Sequence, residues 1–500
     1  MMRSARISEA FRRASALFAA AALCGCSVGP DYQRPLNAVI DRPSANGSFV
    51  EGERPVFAQD ELTGDWWRLY RDPTLDALIE QALAANTDLR VAAASIARAE
   101  AGADIAKAAQ FPTTTLEADP TFTRLSPQEQ LLPNVNIPPQ GLYSLGGGLS
   151  YQIDLFGQIR RAIESAKADV VAAREAYDVT RITVVAETAK AYSDVCSAGR
   201  QIAIARRSVA LQTRSTQLTR ELFQTGRGIS LDVTRAKALE DRVRASIPPL
   251  EAAQKVALYR LTVLTGRPPE EFPAPVAHCA DEPRLGQPVP IGDGATLVAR
   301  RPDIRRAEAI FHATTALVGV AIADLYPKVT FGLSAASVGP NVALLQYSTL
   351  KYSAGPLITW DFPNRLVAEA HIRGAKADVE VAFAQFDGAV LAALREVESA
   401  LVVYARDLDQ RKLLAASRDQ AAIAAGDAET LFKAGSTNYL TVLDANLALI
   451  TADQSLAMLD GKIVDDQITL FLALGGGWES PRLPPHKPIV TPPSQTANQL

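Results

Sequence analysis

Five hundred residues, 48% hydrophobic and 21% charged, contain enough apolar material for a sizeable core and lack the low-hydropathy composition of a disordered chain. A net charge of −4, from 51 Lys and Arg against 55 Asp and Glu, excludes the basic footprint of a nucleic-acid binder. Aromatics at only 6% beside abundant alanine favour long, closely packed helices over a bulky globular core.

In chain order, Arg3, Arg6, Arg12 and Arg13 precede an apolar run over 14–23, the layout of a secretory signal covering 1–25. Its end, Leu23-Cys24-Gly25-Cys26, resembles a bacterial lipobox. That resemblance implies cleavage before Cys26, which becomes an N-palmitoyl, S-diacylglycerol cysteine. Three acyl chains anchor firmly, because each buried CH₂ contributes about 0.8 kcal/mol; an ordinary signal with a chance cysteine is the alternative. No later stretch has the ~20 consecutive apolar residues of a membrane helix. Residues 26–64 read as an extended N-terminal segment, long enough to run from an anchor along a body. The remaining cysteines, Cys196 and Cys279, are open to either a disulfide or two free thiols in an oxidising compartment.

A first unit covers 65–275. A helix is expected over about 75–110, stopped by Phe111-Pro112. A strand over about 113–124 follows, in which Leu116, Ala118, Pro120 and Phe122 alternate with Thr115, Glu117, Asp119 and Thr121. A second, over about 143–155, sets Tyr143, Leu145, Leu149, Tyr151 and Ile153 against Ser144, Gly146, Ser150 and Gln152. The prolines are awkward in such strands, since each removes a ladder donor. From 157 to 224 no proline appears, and every seventh residue from Ile163 (Val170, Tyr177, Val184, Ala191, Ala198, Ala205) is apolar or alanine. That is a coiled-coil period held over roughly 100 Å of helix. A turn at "QTGRGIS" returns the chain antiparallel, and Pro248-Pro249 interrupts the returning helix.

After a linker over 276–300, the pattern recurs in 301–478. A helix over about 302–325 stops at Tyr326-Pro327; strands follow over about 328–338 and 352–361, carrying Phe331, Tyr352 and Trp360; then come a long helix, the turn "KAGSTNY" and a return with Ala457-Met458 in place of the two prolines. Asp88 aligns with Asp303, Arg90 with Arg305, Gly226 with Gly435 and Gly266 with Gly475, so the chain reads as two internal repeats of about 210 residues. Residues 479–500 form a proline-rich tail of disordered composition.

Ten-residue strands with alternating character match outer-membrane barrel strands. Four strands cannot close such a barrel, whose smallest known members have eight, so several chains must share one. A soluble sandwich with one wet face is the alternative. No catalytic motif stands out, and His278, His312, His371 and His486 are scattered without ligand spacing. The expectation is therefore no enzyme, no cofactor and no metal site.

The motifs "CSVGPDYQRP", "DWWRLYRDPTLDALIEQAL", "YQIDLFGQIRRA", "LFQTGRGISLDVTRA", "ARRPDIRRAE", "LYPKVT" and "ALGGGW" together resemble the TolC-like outer-membrane efflux factors, in particular the OprM-type, NodT-like lipoprotein branch. The resemblance implies a membrane α+β fold: a homotrimer whose twelve strands, four per chain, form one outer-membrane β-barrel continuing into a periplasmic α-helical barrel of long coiled-coil hairpins. Phe122, Tyr143, Tyr151, Phe331, Tyr352 and Trp360 would then face lipid. The implied partners are a periplasmic adaptor protein and an inner-membrane resistance-nodulation-division pump, and the implied function is an exit duct for drugs or other small molecules. A type I protein-secretion duct is the alternative. Matching "NYLTVLDANLAL" to the family's gate puts Leu440 and Asp444 in a constriction, opposite Arg235, the first-repeat counterpart of Asp444. Phe432 stands where a gate tyrosine often sits, and Leu447 where an arginine is common. Solvated helix charges, worth less than about 1 kcal/mol, are the alternative reading of Arg235 and Asp444.

Overall fold

A computed structural model describes residues 27–124, 126, 128, 136, 138–340, 343, 345–360, 362 and 365–476. The expected signal 1–25, Cys26, Asp361, Gly477, Trp478 and the tail 479–500 lie outside the described residues. In chain order the elements are β1 (Phe57–Ala58), α1 (Pro73–Ala85), α2 (Thr87–Ala108), β2 (Thr113–Thr123), β3 (Gln140–Ile153), α3 (Gln158–Gln224), α4 (Ser230–Ala245), α5 (Ile247–Leu264), β4 (Val289–Pro290), α6 (Gly294–Arg300), α7 (Pro302–Ala323), β5 (Lys328–Pro340), β6 (Leu350–Thr359), α8 (Arg365–Lys433) and α9 (Tyr439–Ala473). They form two compact units, one gathering the residues up to Pro35 with Ile96–Ala173 and Arg306–Phe386, the other gathering Leu36–Ser95, Arg174–Arg305 and the residues from Asp387 onward.

The first unit is built on one antiparallel sheet in the order β2-β3-β5-β6. Strands alternate their side chains between faces, so the register decides what each face carries. Leu116 pairs with Gly147 and then Ala335 and Tyr352; Thr114 pairs with Leu149 and then Leu333 and Ala354. Pro120 and Pro356 sit on the edge strands β2 and β6, where a sheet tolerates a missing donor. The segment after Cys26 is clasped onto this unit. Val28 N donates to Phe156 O at 3.1 Å, and the buried Arg161 guanidinium reaches Asp31 at 2.6 Å and Glu164 at 2.7 Å. A Cβ built on Gly29 would lie 2.4 Å from Gly319 Cα, so the close approach needs glycine. Two motifs far apart in the chain, "CSVGPDYQRP" and "YQIDLFGQIRRA", thus meet. Tyr32 stacks on His312 with ring centroids 4.6 Å apart and donates its hydroxyl to Glu308 at 3.0 Å. Helix α7 is long and apolar enough by length and composition to cross a membrane, with mean hydropathy 1.2. Here it is a packed helix, with Phe311, Ala313, Ala316 and Val318 buried.

The second unit has an apolar core in which Trp66, Trp67 and Tyr70 gather around Phe471, the Trp66 and Phe471 rings stacked at 4.7 Å. One helix was expected over 75–110; the structure has two. Asn86 breaks it, its Oδ1 accepting from Asp88 N at 2.8 Å and Leu89 N at 3.2 Å while its Nδ2 donates to Leu264 O at 3.1 Å. An asparagine that caps a new helix and also bonds the last carbonyl of α5 outcompetes one continuous turn. The returning helix of the first half breaks at Ser246, ahead of Pro248, whereas α9 runs unbroken through Ala457-Met458.

The seven-residue period survives in three dimensions: Ile163, Val170, Tyr177, Val184, Ala191, Ala198 and Ala205 are all buried. Helices α8 and α9 pair as an antiparallel coiled coil with rungs spaced by seven residues or a multiple of seven. Gln467 donates to the Tyr404 hydroxyl at 3.0 Å, Arg411 meets Asp460 at 2.6 Å, Arg418 meets Asp453 at 2.8 Å, and the Phe432 and Tyr439 rings lie 5.4 Å apart. Each step forward on α8 is matched by an equal step back on α9, the geometry of a heptad seam. Cys196 and Cys279 form a disulfide, with S–S 2.06 Å, closing the question that composition left open. It ties α3 to the linker 276–300. Glu282 of the same linker is buried against Arg200 at 3.0 Å, and Arg200 reaches Asp460 at 3.0 Å.

Candidate functional site

Two surfaces bear on function: the faces of the sheet and the hairpin tips. On one face lie Leu116, Phe122, Leu145, Leu149, Tyr151, Val329, Phe331, Leu333, Tyr352 and Ile358, with no charged residue among those the register assigns to it. The other face carries Thr115, Glu117, Asp119, Ser144, Gly146, Ser150, Lys328, Ser334, Lys351 and Ser353. Glycine, serine and threonine dominate its centre, so that face is polar and sparsely filled. The apolar face is left bare within the chain: Phe122 is 80% exposed and Tyr352 87%. A charge-free, uncovered apolar sheet of this size requires an apolar medium or partner.

Of the six aromatics expected on that face, Phe122, Tyr151, Phe331 and Tyr352 share it by register, Tyr151 directly opposite Phe331. Trp360 lies just past the end of β6, its Nε1 donating to Leu325 O at 3.1 Å. Tyr143 departs from the expectation of an open ring. It is on the same face but only 7% exposed. Its hydroxyl contacts Ser337 Oγ at 2.6 Å, donates to Ala343 O at 3.1 Å and accepts from Leu345 N at 3.0 Å. A phenol that satisfies several polar atoms of the β5–β6 connection is held beneath it rather than left facing outward.

In the second unit both long hairpins turn the same way. Gly226 and Gly435 each take φ +72°, and each turn closes with paired backbone bonds: Gly226 N to Phe223 O with Arg227 N to Leu222 O, and Gly435 N to Phe432 O with Ser436 N to Leu431 O. This is the Schellman closure that a left-handed residue after a helix provides. Asn438 caps α9 by accepting from Thr441 N at 3.1 Å. Below the turns, Ala236, Leu239, Val243, Tyr439, Val442 and Leu443 form a small core, and Ser215 Oγ contacts the Tyr439 hydroxyl.

This core sorts the residues expected at the gate. Leu440 and Asp444, four apart on α9 and so on one face, are both exposed, as is Arg235 on α4. Among the described residues neither Asp444 nor Arg235 has an ionic partner within the chain. Phe432 and Leu447 instead pack against the core. The positions that would supply an ionic lock are thus spent on packing, while the exposed trio points away from its own chain. Among the described residues no hydrogen bond or ion pair joins Arg235 to Asp444.

Sequence reasoning missed two features here, the Arg161 clasp and a pair of facing carboxyls, Asp407 and Asp466, and left the Cys196–Cys279 bond open. Each depends on which distant segments meet.

The family model described as "Outer membrane efflux protein" matches residues 78–267 and 295–476. The chain is 28% identical over 469 residues to nodulation protein T of Rhizobium leguminosarum bv. trifolii, covering 94% of this chain and 98% of that one. It is 30% identical over 420 residues to the pyoverdine export outer membrane protein OpmQ of Pseudomonas putida, covering 83% and 88%. The solved structure of the outer-membrane channel OprN superposes with a TM-score of 0.82 at 32% identity, covering 91% of this chain and all of that one. With its bare apolar sheet and long hairpins, the chain belongs to the outer membrane efflux protein family and is an outer-membrane efflux channel protein.

Proposed function

We propose that three copies of the chain close one twelve-stranded barrel in the outer membrane, and that their helical hairpins form a periplasmic barrel beneath it. The duct takes drugs or other small molecules from an inner-membrane resistance-nodulation-division pump through a periplasmic adaptor. The observation that carries this reading is the four-stranded sheet, with one charge-free apolar face and both edges, β2 and β6, unpaired among the described residues. Open edges are costly in water and in lipid alike and a bare apolar face is costly in water; ring closure with further copies removes the first cost and contact of the face with lipid removes the second. The relative named for pyoverdine export favours small-molecule cargo over a secreted protein.

Cys26 supplies the acyl anchor, and the clasp of residues 28–31 by Arg161 holds the following segment beside the β3–α3 junction. At the tip, three copies each of Leu440, Asp444 and Arg235 narrow the duct, the carboxylates disfavouring anions. The test is migration in detergent: outer-membrane extract should give a trimer-sized band that collapses to monomer on heating. Release of the chain by salt or mild lipase treatment would contradict the barrel.

A further inference from the structure

Helix α9 carries two adjacent carboxyls that leave it in different directions. Asp466 hydrogen-bonds Asp407 across the α8–α9 seam, and Asp407 also binds Lys462 Nζ. Asp407 is buried, and among the described residues no N–H or hydroxyl donates to the buried Oδ2 of Asp466. The next rung is the buried Tyr404–Gln467 bond, continued by Tyr70, whose hydroxyl donates to Gln467 at 3.1 Å. Two carboxyls hydrogen-bond only while one of them holds a proton. With Asp466 protonated, Asp407 and Lys462 balance and the rung is neutral. With both ionised, one uncompensated negative charge remains in a half-buried seam.

We propose that Asp407 and Asp466 form a proton-operated rung of the α8–α9 hairpin, closed by one shared proton and loosened when both carboxyls ionise. Every charge facing the pair acts in a definable way. Burial comes first in pushing Asp466 up to about 7, followed by the hydrogen bond to and the charge of Asp407; Asp465 adds to the rise and Lys462 opposes it. Burial would raise Asp407 too, but the hydrogen bonds from Asp466 and Lys462 outweigh it and hold Asp407 below the usual carboxylate range. On the other side of α9, burial lifts Asp465 to about 7; Asp194 and Glu187 of α3 add to this, while Lys190 of α3 and Arg260 of α5 oppose it. Arg260 is itself engaged by Asp194 at 2.6 Å.

The sign follows from proton uptake. Asp466 binds its proton more tightly folded than unfolded, so the stability it contributes is full below the ordinary carboxylate range, near pH 4, and is lost as pH rises through about 7. Asp407, depressed, contributes in the opposite sense and loses its share only on strong acidification. The hairpin is therefore firmest in mildly acidic conditions.

The test is hydrogen–deuterium exchange on the full chain in detergent at pH 6 and pH 8, normalised for intrinsic exchange and read in peptides over 400–412 and 458–470. For one proton, local opening of these peptides should increase about tenfold between the two pH values. Asp466→Asn keeps a donor to Asp407 at every pH, so it should hold protection at pH 8 over 400–412 and cut the pH response over 458–470 to the share that Asp465 contributes. Asp407→Asn removes the repelling charge and should shift the transition to lower pH. An equal opening ratio in the wild type at both pH values overturns the proposal. So does a full pH response surviving in Asp466→Asn, or one removed by Asp465→Asn alone. The readout is local to the hairpin and does not depend on how many chains share a barrel.

Discussion

Arginine placed on each face of β5 in turn tests the central physical claim with adjacent residues. Leu333 lies near the middle of the strand on the apolar face, between Leu149 and Ala354, and is 48% exposed within the chain. Ser334, the next residue, lies on the polar face between Gly148 and Ser353, its hydroxyl 2.8 Å from that of Ser353. If the apolar face meets lipid, Leu333→Arg costs about 2–4 kcal/mol per chain at the depth of the bilayer centre. Threefold repetition brings that to roughly 6–12 kcal/mol per assembly, enough to stop insertion. Ser334→Arg projects a guanidinium into water over a floor of glycine and serine, and surface changes of this kind stay within about 0.5 kcal/mol. The assay compares the two variants for recovery in the outer-membrane fraction and for the heat-sensitive trimer band. Leu333→Arg should lose both while Ser334→Arg retains them. Equal behaviour, or failure of Ser334→Arg alone, would refute the assignment of faces and with it the barrel.

Removing the disulfide with Cys196→Ala opens a loop with a sequence separation of 83 and should lower stability by about 2–4 kcal/mol. Reductant should then destabilise the wild type but leave the variant unchanged in thermal unfolding. Arg161→Gln removes donors to Asp31, Glu164 and the carbonyls of Val28 and Gly29, so limited proteolysis should cut within 27–35 while the sheet remains protected. Asp444→Ala should raise the ion conductance of the closed channel in planar bilayers, and Arg235→Ala should act in the same direction. Unchanged conductance in both sinks their placement in the gate.

What could be read from the chain alone was whatever is periodic. The two-residue beat of β2, β3, β5 and β6 assigned side chains to faces before any pairing was known, because a strand's geometry leaves no other choice. The seven-residue beat from Ile163 to Ala205 marked the buried stripe of α3 for the same reason. Glycine at the turns was equally plain, since Gly226 and Gly435 both adopt the left-handed backbone that other residues avoid.

Contacts that close over long separations carry no such beat. Nothing local in Asn86 distinguishes a helix breaker from a helix surface residue until Leu264 O is placed beside it. Tyr143 obeyed the alternation and still turned out buried, because the β5–β6 connection folds back over a ring whose position in β3 was correctly read. Asp407 and Asp466 stand 59 positions apart and look like two ordinary surface carboxyls in their separate helices. Only the antiparallel heptad seam sets them face to face, three residues off the Tyr404–Gln467 rung in one case and one residue in the other. The same seam gives Arg411 and Arg418 to Asp460 and Asp453, where ion pairing is satisfied. At Asp407 two acids meet a single cation, Lys462, and a proton has to neutralise the second acid, Asp466. A titrating rung among ion-paired ones is thus a consequence of register, which is the property a single helix sequence cannot display.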